Sequence, residues 1–170
     1  MNWRHIVRIA FILLWGIVVY ILTISLIKRR NDISGILQFP EIQALTLNGE
    51  VFNSKVALLS SKRTALVFFD PDCELCRIEL DGIRSSYSLC RNVQWLFLTL
   101  SPSENVELFL QDCPLDIIPN AFILREDWPD IYHLYKIKKY PALFIYDENG
   151  RLMKYHRSAT SIKTIVQELQ

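Results

Sequence analysis

Two cysteines three residues apart are the side chains of this sequence that are best suited to chemistry. They stand in the segment Asp72-Cys73-Glu74-Leu75-Cys76, and on a helix this spacing places both sulfurs on one turn. A thiolate is the form of cysteine that attacks a disulfide. We therefore predict a redox-active dithiol in which Cys73 is the nucleophile and Cys76 is the resolving thiol that releases the product.

The cysteine pair follows a predicted strand and opens a predicted helix. The run from Ala65 to Phe69 is apolar and rich in aromatic residues, which is typical of a strand covered on both faces. Asp70-Pro71-Asp72 ends it, and both aspartates are candidate N-caps for the next helix. Apolar residues at helical spacing predict the buried face of that helix: Leu75, Ile78, Ile83 and Tyr87.

This arrangement places Cys73 at the N-terminus of a helix. Unpaired backbone N–H groups and the helix dipole favour negative charge there, so we expect its thiolate to form more readily than that of a free cysteine. Asp70, Asp72 and Glu74 oppose this effect, because like charges disfavour one another. The nucleophile should therefore be less acidic than that of a strongly oxidising thiol protein.

A zinc site is the alternative use of a Cys-x-x-Cys pair. Structural zinc usually takes a second Cys or His pair at short spacing, and Cys90 and Cys113 stand far apart without one. We therefore predict no metal and no cofactor other than the cysteine pair. Cys90 and Cys113 could pair in an oxidising compartment or lie as small buried hydrophobes, and we expect no disulfide between them.

The charge distribution sets a short N-terminal segment apart. Five of the 19 basic residues lie within residues 1–30, which carry no acid, and the remaining 14 stand against 18 acidic residues. This net negative charge gives no support to nucleic-acid binding. The length of 170 residues fits one modest domain with an appendage.

Residues 9–27 are uncharged and almost wholly apolar, and as a helix they could cross about 30 Å of hydrocarbon. The run is too long for a signal peptide and lacks a small-residue cleavage site. We therefore predict a single-pass membrane anchor in residues 1–30 and a catalytic domain in residues 31–170. Basic residues flank both ends of the run, so the positive-inside rule does not select an orientation. We expect the catalytic domain on the extracytoplasmic, periplasmic side, because a tethered dithiol domain is most useful where its partners are exported.

The rest of the chain alternates strands with helices. Residues 31–37 are predicted to be a linker, and Asn48-Gly49 a tight hairpin turn between two strands. Ser101 or Ser103 is the expected N-cap of a helix over residues 104–111. Further strands are expected at residues 93–100, 121–124, 140–146 and 151–155, and further helices at 128–135 and 161–169. This order predicts an α/β fold with a mixed sheet flanked by helices.

Several motifs in this order resemble one known family. Leu66-Val67-Phe68-Phe69, Cys73-x-x-Cys76-Arg77-x-Glu79-Leu80 and Tyr140-Pro141-Ala142-Leu143-Phe144-Ile145-Tyr146-Asp147-x-x-Gly150 look like the membrane-anchored, TlpA/ResA-type thiol-disulfide oxidoreductases of the thioredoxin superfamily. The resemblance covers about residues 37–169. It implies a thioredoxin-like fold, protein thiols and disulfides as partners, and a role in cell redox homeostasis. It also implies a cis peptide before Pro141, beside the cysteines, with Tyr140 and Pro141 contacting the partner chain.

The chain departs from the family pattern close to the cysteines. Asp72 replaces a Trp, Glu74-Leu75 replaces a Pro-containing pair, and Val67 stands where thioredoxin carries a buried Asp for proton transfer. The proton acceptor for Cys76 is therefore open. Glu79 is a candidate for proton transfer, and a solvated charge on the helix face is the other interpretation.

Two other functions remain open at this point. Membrane-anchored copper chaperones of the Sco type share the fold and bind metal with two Cys and a distant His, a role that His133 could take; their thiols are usually one residue further apart. A peroxiredoxin-like antioxidant protein would need Thr or Ser three residues before its reactive Cys, where this chain has Asp70.

Overall fold

The computed structural model describes residues 12–25, 33–58, 61–126 and 130–170. Its contacts divide the chain into two compact units, Met1–Gly35 and Ile36–Gln170. In the first unit, residues 12–25 form helix α1, and their side chains are exposed along its whole length. No helix within the described residues has both the length and the apolar character needed to cross a membrane. The predicted span of residues 9–27 extends beyond the described residues at both ends.

The second unit is a seven-stranded mixed sheet flanked by helices. The strands are β1 (Gln43–Thr46), β2 (Val51–Asn53), β3 (Arg63–Phe68), β4 (Val93–Thr99), β5 (Ala121–Arg125), β6 (Ala142–Tyr146) and β7 (Leu152–His156). The helices are α2 (Ser54–Ala57), α3 (Glu74–Ser86), α4 (Ser103–Asp112), α5 (Asp130–Tyr135) and α6 (Ile162–Leu169). The sheet order is β2-β1-β5-β4-β3-β6-β7, with β3, β4 and β5 parallel and the other pairs antiparallel. The predicted α/β fold with a mixed sheet is confirmed.

Strand β3 lies in the interior of the sheet and is covered on both faces, as its apolar run predicts. On one face, alternate residues such as Val67 pack with α3, α4 and α6 in a single hydrophobic core. On the other face, Phe68 packs in edge and tilted contacts against Tyr132 and Tyr135 of α5. Because both faces are filled, the carboxyl end of β3 is a rigid support for whatever follows it.

The hairpin prediction is confirmed. Strands β1 and β2 pair antiparallel, and Gly49 has φ +80 at the turn between them, which a residue without Cβ adopts readily. The linker prediction is wrong for its last residues. Ile36 is fully buried, its carbonyl accepts a hydrogen bond from the Tyr146 hydroxyl at 3.1 Å, and the Leu37 carbonyl accepts one from the Leu152 amide at 2.8 Å.

The predicted face of helix α3 is wrong for two of its four residues, whereas Ile83 is buried and Tyr87 packs against the core as predicted. Leu75 and Ile78 are 54% and 63% exposed, and the buried residues are Cys76, Glu79, Leu80 and Ile83. The apolar pattern misled because a carboxylate and a thiol occupy two of the inward positions. Helix α6 packs closely on this helix: a Cβ built at Gly82 would lie 3.3 Å from the Ile162 Cβ.

The other predicted helices are present with adjusted ends. Helix α4 begins at Ser103, and its N-cap is Pro102, without a side-chain hydrogen bond, so neither predicted serine cap is correct. Helix α6 begins after Ser161, whose side chain accepts from the Thr164 amide. Residues 128 and 129, where we expected α5 to open, lie outside the described residues, and α5 is described from Asp130.

Two substitutions on α3 test which face is buried. Leu80→Ala removes a fully buried side chain and should lower the free energy of unfolding by about 2–5 kcal/mol. Leu75→Ala, on the exposed face, should change it by about 0.5 kcal/mol or less. Urea unfolding of the full-length chain measures both, and equal losses for the two variants would contradict the orientation of the helix.

Candidate active site

A turn built on Asp70 joins strand β3 to helix α3. The Cys73 amide donates to the Asp70 carbonyl at 3.1 Å, and the Asp72 amide donates to Asp70 Oδ1 at 3.0 Å. An aspartate side chain that bonds to the backbone two residues on forms an Asx turn. Asp70 therefore shapes the turn and is not the helix cap that we predicted.

The N-cap of α3 is Cys73 itself. It has extended backbone angles (φ −89°, ψ 113°), and its Sγ accepts a hydrogen bond from the Cys76 amide at 3.3 Å. The first N–H groups of a helix have no acceptor within the helix, and here the sulfur supplies one. Neither Asp70 nor Asp72 takes this place, because the chain turns through both before the helix begins. The positive end of the helix dipole thus lies directly at the half-buried Cys73 sulfur.

Cys76 lies one turn further along and has no exposed surface. Burial raises the pKa of its thiol, and the hydrogen bond and charge of Cys73 raise it further, as does the charge of Asp70. A backbone hydrogen bond from Asp70 acts in the opposite direction. Of the two sulfurs, only that of Cys73 is open to another molecule, while Cys76 is kept as a protonated thiol behind it.

The peptide bond between Tyr140 and Pro141 is cis, as the family resemblance implies. The Cys73 thiol lies 3.8 Å from the Tyr140 carbonyl oxygen, within hydrogen-bonding range for sulfur. Residues 67 positions apart thus meet because antiparallel pairing of β6 with β3 brings the start of β6 beside the end of β3. The predicted position of this proline loop beside the cysteines is confirmed.

Glu79 lies on the same buried face of α3 as Cys76 and is only 5% exposed. The interpretation of Glu79 as a solvated surface charge is therefore wrong. Its Oε2 accepts a hydrogen bond from the Thr160 amide, whereas its Oε1 is buried and has no hydrogen-bond partner within the described residues. Burial raises the pKa of the carboxyl group, and the Thr160 amide and the positive field of His156 oppose this shift.

Other candidate residues fall outside this cluster. Arg77 is a surface charge that pairs with Asp112 at 2.8 Å and lies over the Phe109 ring. Cys90 and Cys113 are free thiols in the core, where burial raises the pKa of each. Across the part of the chain that the structure describes, no three His, Cys, Asp or Glu side chains are grouped so that they could hold a metal, so His133 does not join the two cysteines.

Comparisons with solved structures agree on the fold. The chain is similar to a secreted Mycobacterium tuberculosis disulfide oxidoreductase that is homologous to Escherichia coli DsbE (20% identity, TM-score 0.64, covering 75% of this chain and 93% of that one). It is also similar to StoA from Bacillus subtilis (19% identity, TM-score 0.61, covering 77% of this chain and 97% of that one). A third similar structure is the peroxidoxin BcpB from M. tuberculosis (13% identity, TM-score 0.65, covering 78% of this chain and 93% of that one). No protein-family model and no curated protein sequence matches the chain. The predicted thioredoxin-like fold is thereby confirmed.

Differential burial of the cysteines predicts their order of alkylation. With limiting iodoacetamide at neutral pH, the full-length reduced protein should be modified first at Cys73, because the raised pKa and burial of Cys76 keep that thiol protonated and covered. Peptide mass spectrometry over a time course measures the order. Modification of Cys76, Cys90 or Cys113 ahead of Cys73 would contradict the assignment.

The buried carboxyl group predicts a pH-dependent stability. Because the pKa of Glu79 is raised above its ordinary value of 4.5, the folded state binds its proton more tightly than the unfolded state, and stability falls as pH rises above that value. Glu79→Gln should therefore be more stable than the wild type at pH 7, and the difference should shrink towards pH 4. Paired urea titrations measure it, with the exposed Glu74→Gln as control; a difference that grows towards acid pH would refute the prediction.

Proposed function

We propose that this protein is a thiol-disulfide oxidoreductase that exchanges disulfides with protein partners. The observation that carries the proposal is the hydrogen bond from the Cys76 amide to the Cys73 sulfur at 3.3 Å, with the second sulfur buried directly behind the first. A half-buried sulfur at a helix N-terminus, backed by a second thiol, is the arrangement that thiol exchange requires. The secreted neighbour is described as a disulfide oxidoreductase, and the same activity is proposed here.

The proposed reaction has two balanced steps. The Cys73 thiolate attacks one sulfur of the partner's disulfide, which forms a mixed disulfide and releases the partner's other sulfur as a thiolate. Cys76 then loses its proton and attacks the Cys73 sulfur, which forms the Cys73–Cys76 disulfide and releases the partner's second sulfur. The partner gains two electrons and the cysteine pair loses two, and the reverse sequence oxidises a partner dithiol.

Tyr140 and Pro141 are the proposed contact for the partner chain. The Tyr140 carbonyl lies 3.8 Å from the Cys73 sulfur, so a partner segment joined to that sulfur must run alongside this backbone. Backbone pairing with an extended segment supplies affinity without strong dependence on side chains. Such a site suits a protein that must accept disulfides in more than one sequence context.

We further propose that residues 1–30 tether the catalytic domain, residues 31–170, to a membrane, as in the TlpA/ResA type. Support comes from the uncharged run at residues 9–27 and from the exposed apolar side chains of α1, among them Leu13, Trp15 and Tyr20. We place the catalytic domain on the extracytoplasmic, periplasmic side. The neighbour from M. tuberculosis is described as secreted, which is consistent with this side.

Exchange of each thiol for a hydroxyl separates the two proposed steps. Cys73→Ser should abolish turnover of a protein disulfide, because no thiolate remains at the open position. Cys76→Ser should still attack and should accumulate a mixed disulfide with the partner, which non-reducing electrophoresis and mass spectrometry detect. Cys90→Ala, which alters a buried thiol beyond the C-terminal end of α3, at the opposite end of that helix from Cys73, is the matched control and should keep turnover. Activity that persists in Cys73→Ser would end the proposal.

A further inference from the structure

Strand β5 lies between β1 and β4 in the sheet, yet its first three residues are only half-buried. On the β4 side it is paired along its whole length, from Ala121 to Arg125. On the β1 side it is paired only at Leu124 and Arg125. The sheet is therefore open along one edge of β5 at residues 121–123.

The short hairpin of β1 and β2 leaves this edge open. Strand β1 ends at Thr46, whose carbonyl accepts a hydrogen bond from the Gly49 amide at 3.0 Å as the chain turns back. The Asn48-Gly49 pair sets the position of that turn. The register of β1 with β5 therefore stops after two residue pairs.

The pairing of β5 with β4 shows which backbone groups face the open edge. The Trp95 amide of β4 donates to the Asn120 carbonyl at 3.0 Å. Because successive residues of a strand direct their backbone groups to opposite sides, the even-numbered residues of β5 bond to β4 and the odd-numbered ones face away from it. The Ala121 carbonyl and the Ile123 amide therefore point to the open edge, and neither has a hydrogen-bond partner among the described residues.

A groove of about 660 Å³ lies beside this edge, a volume within the range of roughly 300–1,000 Å³ that is usual for binding sites. Apolar side chains from three parts of the chain line it: Leu47 after β1, Leu110 of α4, and Ala121 and Ile123 of β5. All four are half-buried and pack against the hydrophobic core. An apolar side chain that enters the groove would therefore bury its surface against a fixed support.

The rim of the groove is acidic. Glu107 of α4 and Asp116, which follows that helix, line the groove and are exposed. Neither carboxylate has an ion-pair partner in the part of the chain that the structure describes, and no Lys, Arg or His is among the described residues that line the groove. Charge complementarity therefore favours a basic occupant.

We propose that the open edge of β5 binds an extended segment of a partner protein in which basic side chains flank apolar ones. The partner's backbone donates to the Ala121 carbonyl and accepts from the Ile123 amide, as in the addition of a strand to a sheet edge. Its apolar side chains enter the groove, and its Lys or Arg side chains pair with Glu107 and Asp116.

This surface is separate from the dithiol site. Strands β3, β4 and β5 are parallel, so the cysteines beyond the carboxyl end of β3 and the open residues at the amino end of β5 lie towards opposite ends of the sheet. The inference therefore goes beyond the proposed function and does not depend on the cysteine chemistry. A second copy of this chain is disfavoured as the occupant, because pairing through the same edge would bring two acidic rims together.

Titration of the full-length protein with an acetylated and amidated peptide, Lys-Thr-Val-Thr-Val-Thr-Lys, tests the proposal. As a strand, this peptide presents two valines flanked by two lysines on one face, and it contains no cysteine. Calorimetry measures its affinity, and backbone amide exchange followed by NMR locates it. We expect binding to slow exchange of the Ile123 amide. The double variant Glu107→Gln/Asp116→Asn should bind about fivefold more weakly at low ionic strength, because an exposed ion pair is worth about that factor.

Glu104→Gln is the matched control, because it removes the same charge from α4 at an exposed position that does not line the groove, and it should leave the affinity unchanged. Two further peptides test the partner's chemistry without altering the protein: one with Glu in place of Lys, and one with N-methylated central amides. Both should bind more weakly than the parent peptide. No binding, equal affinity for the lysine and glutamate peptides, or unchanged exchange of the Ile123 amide would overturn the inference. Protection of that amide that rises with protein concentration, without peptide, would assign the edge to a second copy and also overturn it.

Discussion

The contact on which the site depends is the hydrogen bond from the Cys76 amide to the Cys73 sulfur. A helix must find acceptors for its first N–H groups, and in this chain one acceptor is the atom proposed to react. The hydrogen bond that begins α3 therefore also fixes the position of the Cys73 sulfur. Whatever fixes the helix also fixes the sulfur: the parallel pairing of β3 with β4 and the core that covers α3.

The same contact makes the two thiols unequal. The first sulfur is half-buried and accepts a hydrogen bond, while the second has no exposed surface and lies where burial holds it as a thiol. In the proposed reaction, the order in which the two sulfurs act follows from their access to solvent and their protonation. The cis proline loop adds a backbone surface beside the first sulfur. A partner would therefore react first with the accessible Cys73 sulfur, and the buried Cys76 thiol would act only in the second step.

Sequence patterns predicted the elements well and their details less well. The unbroken apolar run at Ala65 to Phe69 and the Asn48-Gly49 pair each have one dominant structural meaning, so the central strand and the hairpin were foreseen. The buried face of α3 was foreseen only at Ile83 and Tyr87. Its first turns were not, because Cys76 and Glu79 point inward while Leu75 and Ile78 face out, and periodicity counts only apolar residues.

The predicted N-cap of α3 was wrong because the aspartates have another role. Aspartate is a usual capping residue type, but Asp70 and Asp72 bond to each other in the Asx turn that precedes the helix. The N-cap is therefore the next residue, Cys73.

Gly82 is the point at which α3, the helix that carries both cysteines, packs closely against α6. Because a methyl group at position 82 would press on Ile162, the close packing of α3 on α6 depends on this glycine, although α6 carries no residue of the candidate site. A larger residue at position 82 would require α6 and α3 to separate, so the seating of the helix that carries the cysteines depends on a residue outside the site.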